Sequence, residues 1–145
     1  MERSKGAERT DEMVRMLQHW QELERKGIES VSALMETTKN PLVRQFLEII
    51  RNDSGQHHRV QKFLIDSLTT QAVSLTPEEL AEIWDKIDEH LKLERETVEL
   101  AKKLKEECRF FVQRELLEYL LTDEDKHTRM LEQLENFKKK LYPYG

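Results

Sequence analysis

Apolar residues recur along the chain at alternating steps of three and four, which places them on one face of an α-helix. The first such segment runs from about Asp11 to Thr38 and ends before Pro41, because the residue preceding a proline is pushed out of helical geometry. A second segment starts at Pro41, a residue that suits the first helical position, and fades near Leu68. The short connection predicts two antiparallel neighbouring helices. We call the apolar face of each helix its seam, and the seam positions of these two helices are Met13, Met16, Trp20, Val31, Leu34, Val43, Phe46, Ile50, Val60 and Leu64.

The second half of the chain repeats this arrangement after a loop over residues 69–75. Thr76-Pro77-Glu78-Glu79 predicts a helix start, with a Thr cap, a proline at the first position and a glutamate three residues after the cap. Periodicity continues to Leu104, a break near Cys108–Phe110 follows, and the last helix ends before Tyr142. Residues 1–10 are polar and are predicted to form a flexible arm. The pattern therefore predicts an all-α fold over residues 11–141, a four-helix bundle of two antiparallel hairpins joined by a longer crossover.

The two halves are an internal duplication. A shift of 70 residues overlays residues 23–64 on residues 93–134 without a gap, and 13 of these 42 positions are identical. The identical pairs include Glu24/Glu94, Asp53/Asp123 and His57/His127. We interpret each half, about 11–68 and 77–141, as one helical hairpin.

Composition narrows the class of protein. Of its 145 residues 37% are charged and only 4 are glycine and 3 proline, which favours long solvated helices. A net charge of −5, with basic residues scattered among acids, argues against nucleic-acid binding. The chain has no apolar run of the roughly 20 residues that a membrane span needs, and its first residues lack a signal-peptide core. Cys108 is the only cysteine, so neither a disulfide nor a CxxC metal pair can form, and we expect a cytoplasmic protein.

On each of the four predicted helices, ionisable residues interrupt the apolar face at the same height along the bundle. Such a group of buried charges is strongly disfavoured unless it is compensated, and a pair of divalent cations would compensate it. An acid and a histidine three or four residues apart on a helix reach the same ion. The turn-to-residue distances place Glu24 level with Asp53, and Glu94 level with Asp123. The interrupting residues are Glu24, Asp53, His57, Glu94, Asp123 and His127.

These residues resemble the ferritin-like superfamily, in particular the rubrerythrins and related di-iron carboxylate proteins. That family pairs one glutamate from each of two helices with a Glu-x-x-His from each of the other two. Asp123-Glu124-Asp125-Lys126-His127 matches the Asp-Glu-x-x-His form, so the resemblance makes Glu124 and His127 metal ligands. Glu24 and Glu94 match the single glutamates. The resemblance covers roughly residues 11–140.

The second helix departs from the family pattern, because Ser54 stands where a glutamate belongs. Three alternatives follow: Asp53 reaches in to replace it, the site binds one metal, or it binds none. Asp53 and Asp123 are also candidates for partners that bond to a ligating histidine rather than to the metal. His90 lies one turn before Glu94 and could reach the site, but we expect it to be solvated, and we expect His58 to face outward. Four-residue spacing suggests surface ion pairs for Arg44 with Glu48 and for Arg114 with Glu118.

The resemblance implies a redox protein in which two iron ions react with oxygen or peroxide, as a ferroxidase or a peroxidase. Manganese and zinc are alternative metals. The chain has no rubredoxin-like part, so a separate electron-donor protein would be needed, and a homodimer is expected. The alternative is a non-enzymatic bundle with a degenerate metal site that acts as a structural or partner-binding module. Oxygenation of a small organic substrate is a third hypothesis, and whether the chain is an enzyme stays open at this point.

Overall fold

The computed structural model describes residues 4–141, which form four α-helices and no strand. The helices are α1 (Lys5–Thr37), α2 (Pro41–Thr69), α3 (Pro77–Glu107) and α4 (Phe111–Leu141). They fall into two compact units that divide after Val73. Hairpin 1 contains α1 and α2, and hairpin 2 contains α3 and α4. The all-α prediction is confirmed, and α3 is one continuous helix.

Local capping chemistry sets where the helices begin. Thr76 and Glu79 form the predicted capping box, and the side chain of Asn40 accepts the backbone N–H groups of Leu42 and Val43 at the start of α2. The start of α1 corrects the predicted arm over residues 1–10. This helix begins at Lys5, because the Ser4 hydroxyl accepts the N–H of Ala7 at 3.2 Å. Residues 1–3 and 142–145, including the predicted stop at Tyr142-Pro143, lie outside the described part of the chain.

Each hairpin turns back through a short connection that an arginine closes. Arg44 donates to the carbonyl oxygens of Met35 and Thr38, near the end of α1. Arg114 donates in the same way to Lys105 O at 3.1 Å and to Cys108 O at 3.3 Å. These bonds satisfy carbonyl groups that a helix end leaves without partners. The predicted surface ion pairs of Arg44 and Arg114 are therefore wrong.

Within hairpin 1, two stripes of residues run along each helix. We call the stripe that faces the other helix of the same hairpin the inner stripe, and the apolar stripe beside it, which stays half exposed, the outer stripe. The inner stripe of α1 consists of Leu17, Gln21, Glu24, Ile28, Val31 and Met35, and that of α2 consists of Leu47, Arg51, Ser54, His58, Gln61, Ile65 and Leu68. The amide of Gln21 donates to His58 O across the hairpin at 3.2 Å, so the two helices are antiparallel.

Most of the predicted seam of hairpin 1 is the outer stripe. Met13, Met16 and Trp20 are 51%, 63% and 51% exposed, and they line an apolar groove of about 460 Å³ with Leu64. Apolar periodicity predicted this stripe as the buried face of hairpin 1, because the inner stripe contains polar residues. His58, predicted to face outward, is half-buried on the inner stripe.

Hairpin 2 repeats both stripes 70 residues later, with more apolar residues inside. Leu91 takes the place of Gln21 and is 2% exposed, and Leu131 takes the place of Gln61. In hairpin 1, Gln61 is 2% exposed and neither polar atom of its side chain has a hydrogen-bond partner among the described residues. The inner stripe of α3 is Leu80, Trp84, Ile87, Leu91, Glu94, Val98, Ala101 and Lys105, and that of α4 is Leu117, Leu121, Glu124, Thr128, Leu131, Glu135 and Lys138. None of the helices over residues 4–141 combines the length and the apolar character that a membrane span requires.

Candidate metal centre

Glu94 is the buried carboxylate at the centre of hairpin 2. It lies on the inner stripe of α3 between Leu91 and Val98, and it is 8% exposed. One of its oxygens, Oε1, lies 2.9 Å from Nε2 of His90, one helical turn earlier. The other oxygen, Oε2, is buried and meets no N–H or hydroxyl donor of residues 4–141, which leaves the carboxyl group of Glu124 as the acidic neighbour that shares a proton with Glu94. A buried carboxylate oxygen without a donor is costly, so this atom calls for a cation or a proton.

Glu124 and His127 of α4 complete a group around Glu94. His127 Nδ1 lies 3.8 Å from Glu94 Oε1 and 3.9 Å from Glu124 Oε2. One ligand atom from each of the three residues lies within 4.8 Å of the other two. Glu124 comes from the inner stripe of α4, and His127, three residues later, comes from its exposed side. The group is therefore buried at its carboxylates and reaches solvent at its imidazole.

The two carboxylates compete for one proton. A hydrogen bond with Glu124 holds the pKa of Glu94 below its ordinary value against the effect of burial, with a further contribution from His90. The same hydrogen bond, together with burial and the charge of Glu94, raises the pKa of Glu124. Glu94 is therefore the anion of the pair and Glu124 the group that holds a proton more readily. A divalent cation would relieve the same conflict when both groups are ionised.

Asp123 lies beside this group without joining it. Burial acts to raise its pKa, but hydrogen bonds from Lys126, at 3.1 Å, and from Tyr119 outweigh burial and leave the pKa below its ordinary value. The carboxylate of Asp123 is thus already paired with donors on its own helix. Its predicted part as an alternate ligand or as a partner of His127 stays a prediction.

Hairpin 1 holds the matching but smaller arrangement. Glu24, whose side chain is 12% exposed, has its Oε1 3.4 Å from His57 Nδ1. The indole Nε1–H of Trp20 donates to the same oxygen at 3.1 Å. Ser54 occupies the position of Glu124 on the inner stripe. Asp53 is exposed and makes no hydrogen bond or ion pair within the described residues, so Glu24 meets His57 and not, as expected from the turn, Asp53.

A ring nitrogen one turn before each glutamate contacts that glutamate; the sequence interpretation noted that His90 could reach the site but favoured a solvated role, and it did not predict the contact of Trp20. Trp20 stands to Glu24 as His90 stands to Glu94, and each ring nitrogen contacts Oε1 of its glutamate. His90 was expected to be solvated, and its side chain is indeed 55% exposed, but its ring is engaged. The sequence does carry a signal for these contacts. Trp20 and His90 lie 70 residues apart, both have a ring N–H group, and each precedes a duplicated glutamate by four residues.

Comparison with known proteins assigns no family. No protein-family model, no curated protein and no solved structure matches the chain.

The donor set at Glu94, Glu124 and His127 fits a first-row transition ion. Two carboxylates and one imidazole supply oxygen and nitrogen ligands, a mixture that suits iron, zinc and manganese. The burial of Glu94 supports the fit, because its carboxylate lies within reach of His127 and its second oxygen meets no N–H or hydroxyl donor of residues 4–141. Three protein ligands would also leave coordination positions for water or an oxidant.

Proposed function

We propose that this protein binds divalent transition-metal ions and that one ion is held by Glu94, Glu124 and His127 within hairpin 2. The observation that carries the proposal is the group itself: Glu94, Glu124 and His127 each bring one ligand atom within 4.8 Å of the other two, and Glu94 is buried at 8% exposure. A cation at this position neutralises the two adjacent carboxylates. That neutralisation would offset the cost of burying the two charges.

A second ion, held by Glu24 and His57, belongs to the same proposal. The sequence duplication and the matching contacts of Glu24 and Glu94 support two related positions, one in each hairpin. The apolar outer stripe of each hairpin needs a further layer of protein to cover it, which supports a four-helix bundle with a crossover, of the ferritin–rubrerythrin type. Asp53 and Asp123 stay candidate partners of the ions or of their histidines.

The proposed activity is oxidation–reduction with oxygen or peroxide, either ferroxidase or peroxide reduction. When bound, iron supplies the one-electron steps for this chemistry; manganese and zinc fit the same ligands, but zinc has no redox role. The chain's own contribution is to fix the ligands and to manage a proton. Glu124, whose pKa is raised by the hydrogen bond with Glu94 and by burial, would release any proton it holds on binding a cation and could take one back when the cation leaves. Electrons would come from a separate donor protein.

The second candidate function is a binding module without catalysis. Ser54 at a ligand position and the exposure of Phe110 and Phe111, 69% and 78%, favour this alternative. Exposed aromatic residues side by side are typical of surfaces that bind another protein. In this reading the hairpin 2 group is a remnant or a structural zinc site, and the homodimer would be formed through apolar surface.

The test is elemental analysis of protein purified without added metal, compared with His57→Ala and His127→Ala variants. The metalloprotein proposal expects bound iron, manganese or zinc that His127→Ala loses. Anaerobic addition of ferrous iron followed by oxygen should then give ferric absorbance in the wild type. If no metal is bound and none is taken up from ferrous iron, the metal proposal is wrong and the binding module remains. If iron binds but no absorbance follows, only the redox activity is wrong.

A further inference from the structure

The duplicated metal positions differ in the number of carboxylates that they offer. In hairpin 2, Glu94 and Glu124 both reach the group with His127. In hairpin 1 the second carboxylate is replaced by the hydroxyl of Ser54, so that Glu24 and His57 stand with a single negative charge between them. A neutral hydroxyl is a poor ligand for a divalent transition ion compared with a carboxylate.

The ring residues that precede the glutamates widen this difference. An indole N–H donates only, so Trp20 occupies Glu24 Oε1 at 3.1 Å and can never serve as a ligand. Imidazole can either donate or ligate, so His90, 2.9 Å from Glu94 Oε1, orients that carboxylate and is itself a potential ligand. Hairpin 2 thus offers more potential ligands to an ion than hairpin 1.

Hairpin 1 also has open space where hairpin 2 has side chains. A Cβ atom added at Gly27 or at Gly55 would meet no heavy atom within 4 Å other than its chain neighbours and the backbone of its own helix. The corresponding residues of hairpin 2 are Thr97 and Asp125. His57 is exposed over 58% of its side chain, so an ion at this position would keep water ligands and a path to solvent.

We propose that the two positions have diverged into a resident site and an exchange site. Hairpin 2 retains a divalent first-row transition ion tightly, and hairpin 1 binds the same class of ion weakly and releases it to solution. The inference rests on the proposed metal binding and deepens it, because it says which ion stays and which one passes through. In a ferroxidase, the exchanging ion would be the substrate.

Cobalt(II) titration of the whole chain, stripped of metal with a chelator, tests this inference. Visible absorbance reports the ligand environment of the ion, and equilibrium dialysis reports how many ions bind. Wild-type protein should take up two ions in steps that differ at least about 100-fold in dissociation constant, because losing even an indirect partner of a metal costs 10–100-fold in affinity. His57→Ala should remove only the weak step, and His127→Ala should remove the tight one.

Exchanging the residues at one pair of positions sharpens the test. Ser54→Glu should tighten the weak step at least about tenfold, and Glu124→Ser should weaken the tight step toward the weak one. Ser30→Glu, which adds the same charge to an exposed position on α1, is the matched control and should change neither step.

The possible results separate this inference from the metal proposal beneath it. Two steps of equal affinity would overturn the division of roles while leaving metal binding in place. One tight ion with no second step up to about 1 mM cobalt, a concentration typical of adventitious binding, would overturn the exchange site alone. If no cobalt binds at all, both the inference and the metal-binding proposal fail.

Discussion

Hairpin 1 and hairpin 2 share one sequence pattern but fill it with different residues. Their stripes coincide after a shift of 70 residues, and the matching arginines Arg44 and Arg114 each hydrogen-bond to the turn of their own hairpin. They differ at the inner positions, where hairpin 1 has Gln21 and Gln61 and hairpin 2 has Leu91 and Leu131. Hairpin 2 also carries the pair of carboxylates. The comparison teaches that the costly charged group lies in the hairpin with the more apolar packing, which can offset its cost.

The largest expected difference between the hairpins concerns this packing. Leu91→Ala should lower the free energy of unfolding of the metal-free protein by about 2–5 kcal/mol, because it removes a side chain that is 2% exposed and leaves a cavity. Gln21→Ala, at the matching position, should cost about 1 kcal/mol or less. Urea denaturation of both variants measures the two values. Equal losses would show that the inner stripes of the hairpins are packed alike.

Metal should stabilise the protein through hairpin 2. At a free zinc concentration of 100 times the dissociation constant, mass action adds about 2.7 kcal/mol to the free energy of unfolding. Glu124→Ser should lose most of this gain, whereas Asp53→Ser, which removes an exposed carboxylate of hairpin 1, should keep it. The shift of the urea midpoint on adding zinc measures the effect. A gain that persists in Glu124→Ser would place the ion elsewhere.

The unpartnered amide of hairpin 1 should be a source of instability. Gln61→Leu is expected to raise the free energy of unfolding by about 1–3 kcal/mol, since it replaces a buried side chain whose polar atoms lack partners within residues 4–141. The mirror change in hairpin 2, Leu131→Gln, should be destabilising. Thermal denaturation of the two variants measures both signs. A destabilised Gln61→Leu would mean that the amide makes a bond that this structure lacks.

The shared proton of hairpin 2 should be visible in a titration. Glu124 should titrate above the ordinary range of a glutamate, because Glu94 hydrogen-bonds to its protonated form and repels its anion. The folded state then holds this proton more tightly than the unfolded chain. The contribution of Glu124 to stability is therefore present below its unfolded pKa and lost as the pH rises through its folded pKa.

Carboxyl ¹³C NMR of the metal-free protein measures this pKa directly. Glu94→Gln should lower it, because the amide replaces the negative charge and donates to ionised Glu124. An unchanged pKa in Glu94→Gln would show that Glu94 is not its cause. Glu24→Gln in hairpin 1 is the control and should leave the titration of Glu124 unaffected.

The smallest expected effects test where the hairpins are alike. Arg44→Ala and Arg114→Ala should each lower the free energy of unfolding by about 0.5–1.5 kcal/mol, because each removes hydrogen bonds to helix-end carbonyl groups. The two losses should agree closely. A difference of more than about 1 kcal/mol between them, measured by urea denaturation, would show that the turns are not equivalent.

Short-range signals allowed most of the helix boundaries to be predicted. The Thr76 capping box and the proline at position 41 act within one helical turn, so the starts of α3 and α2 were predicted correctly. The start of α1 was missed because residues 5–10 carry no apolar periodicity and one hydroxyl, that of Ser4, sets it. The inner stripe of hairpin 1 was missed for a related reason. Periodicity finds the more apolar stripe, and Gln21 and Gln61 make the inner one polar.

The candidate site was predictable as a set of residue types but not as a geometry. Glu94, Glu124 and His127 were predicted ligands and do lie together. Counting residues from the turn predicted that Asp53 lies beside Glu24. Asp53 and His57 are four residues apart on α2 and therefore differ by about one helical turn in height. It is His57 that reaches Glu24. The roles of Trp20 and His90 depend on ring orientation, which spacing alone does not fix.

The 70-residue repeat also has an evolutionary consequence. In an assembly of two identical chains, every substitution appears twice, so a ligand lost from one half is lost from both. Once two copies are joined in one polypeptide, mutation acts on each half independently. Ser54 at the position that matches Glu124, and Trp20 at the position that matches His90, are unequal pairs of this kind. Covalent fusion makes such asymmetry heritable, because a change in one half is passed on together with an unchanged other half.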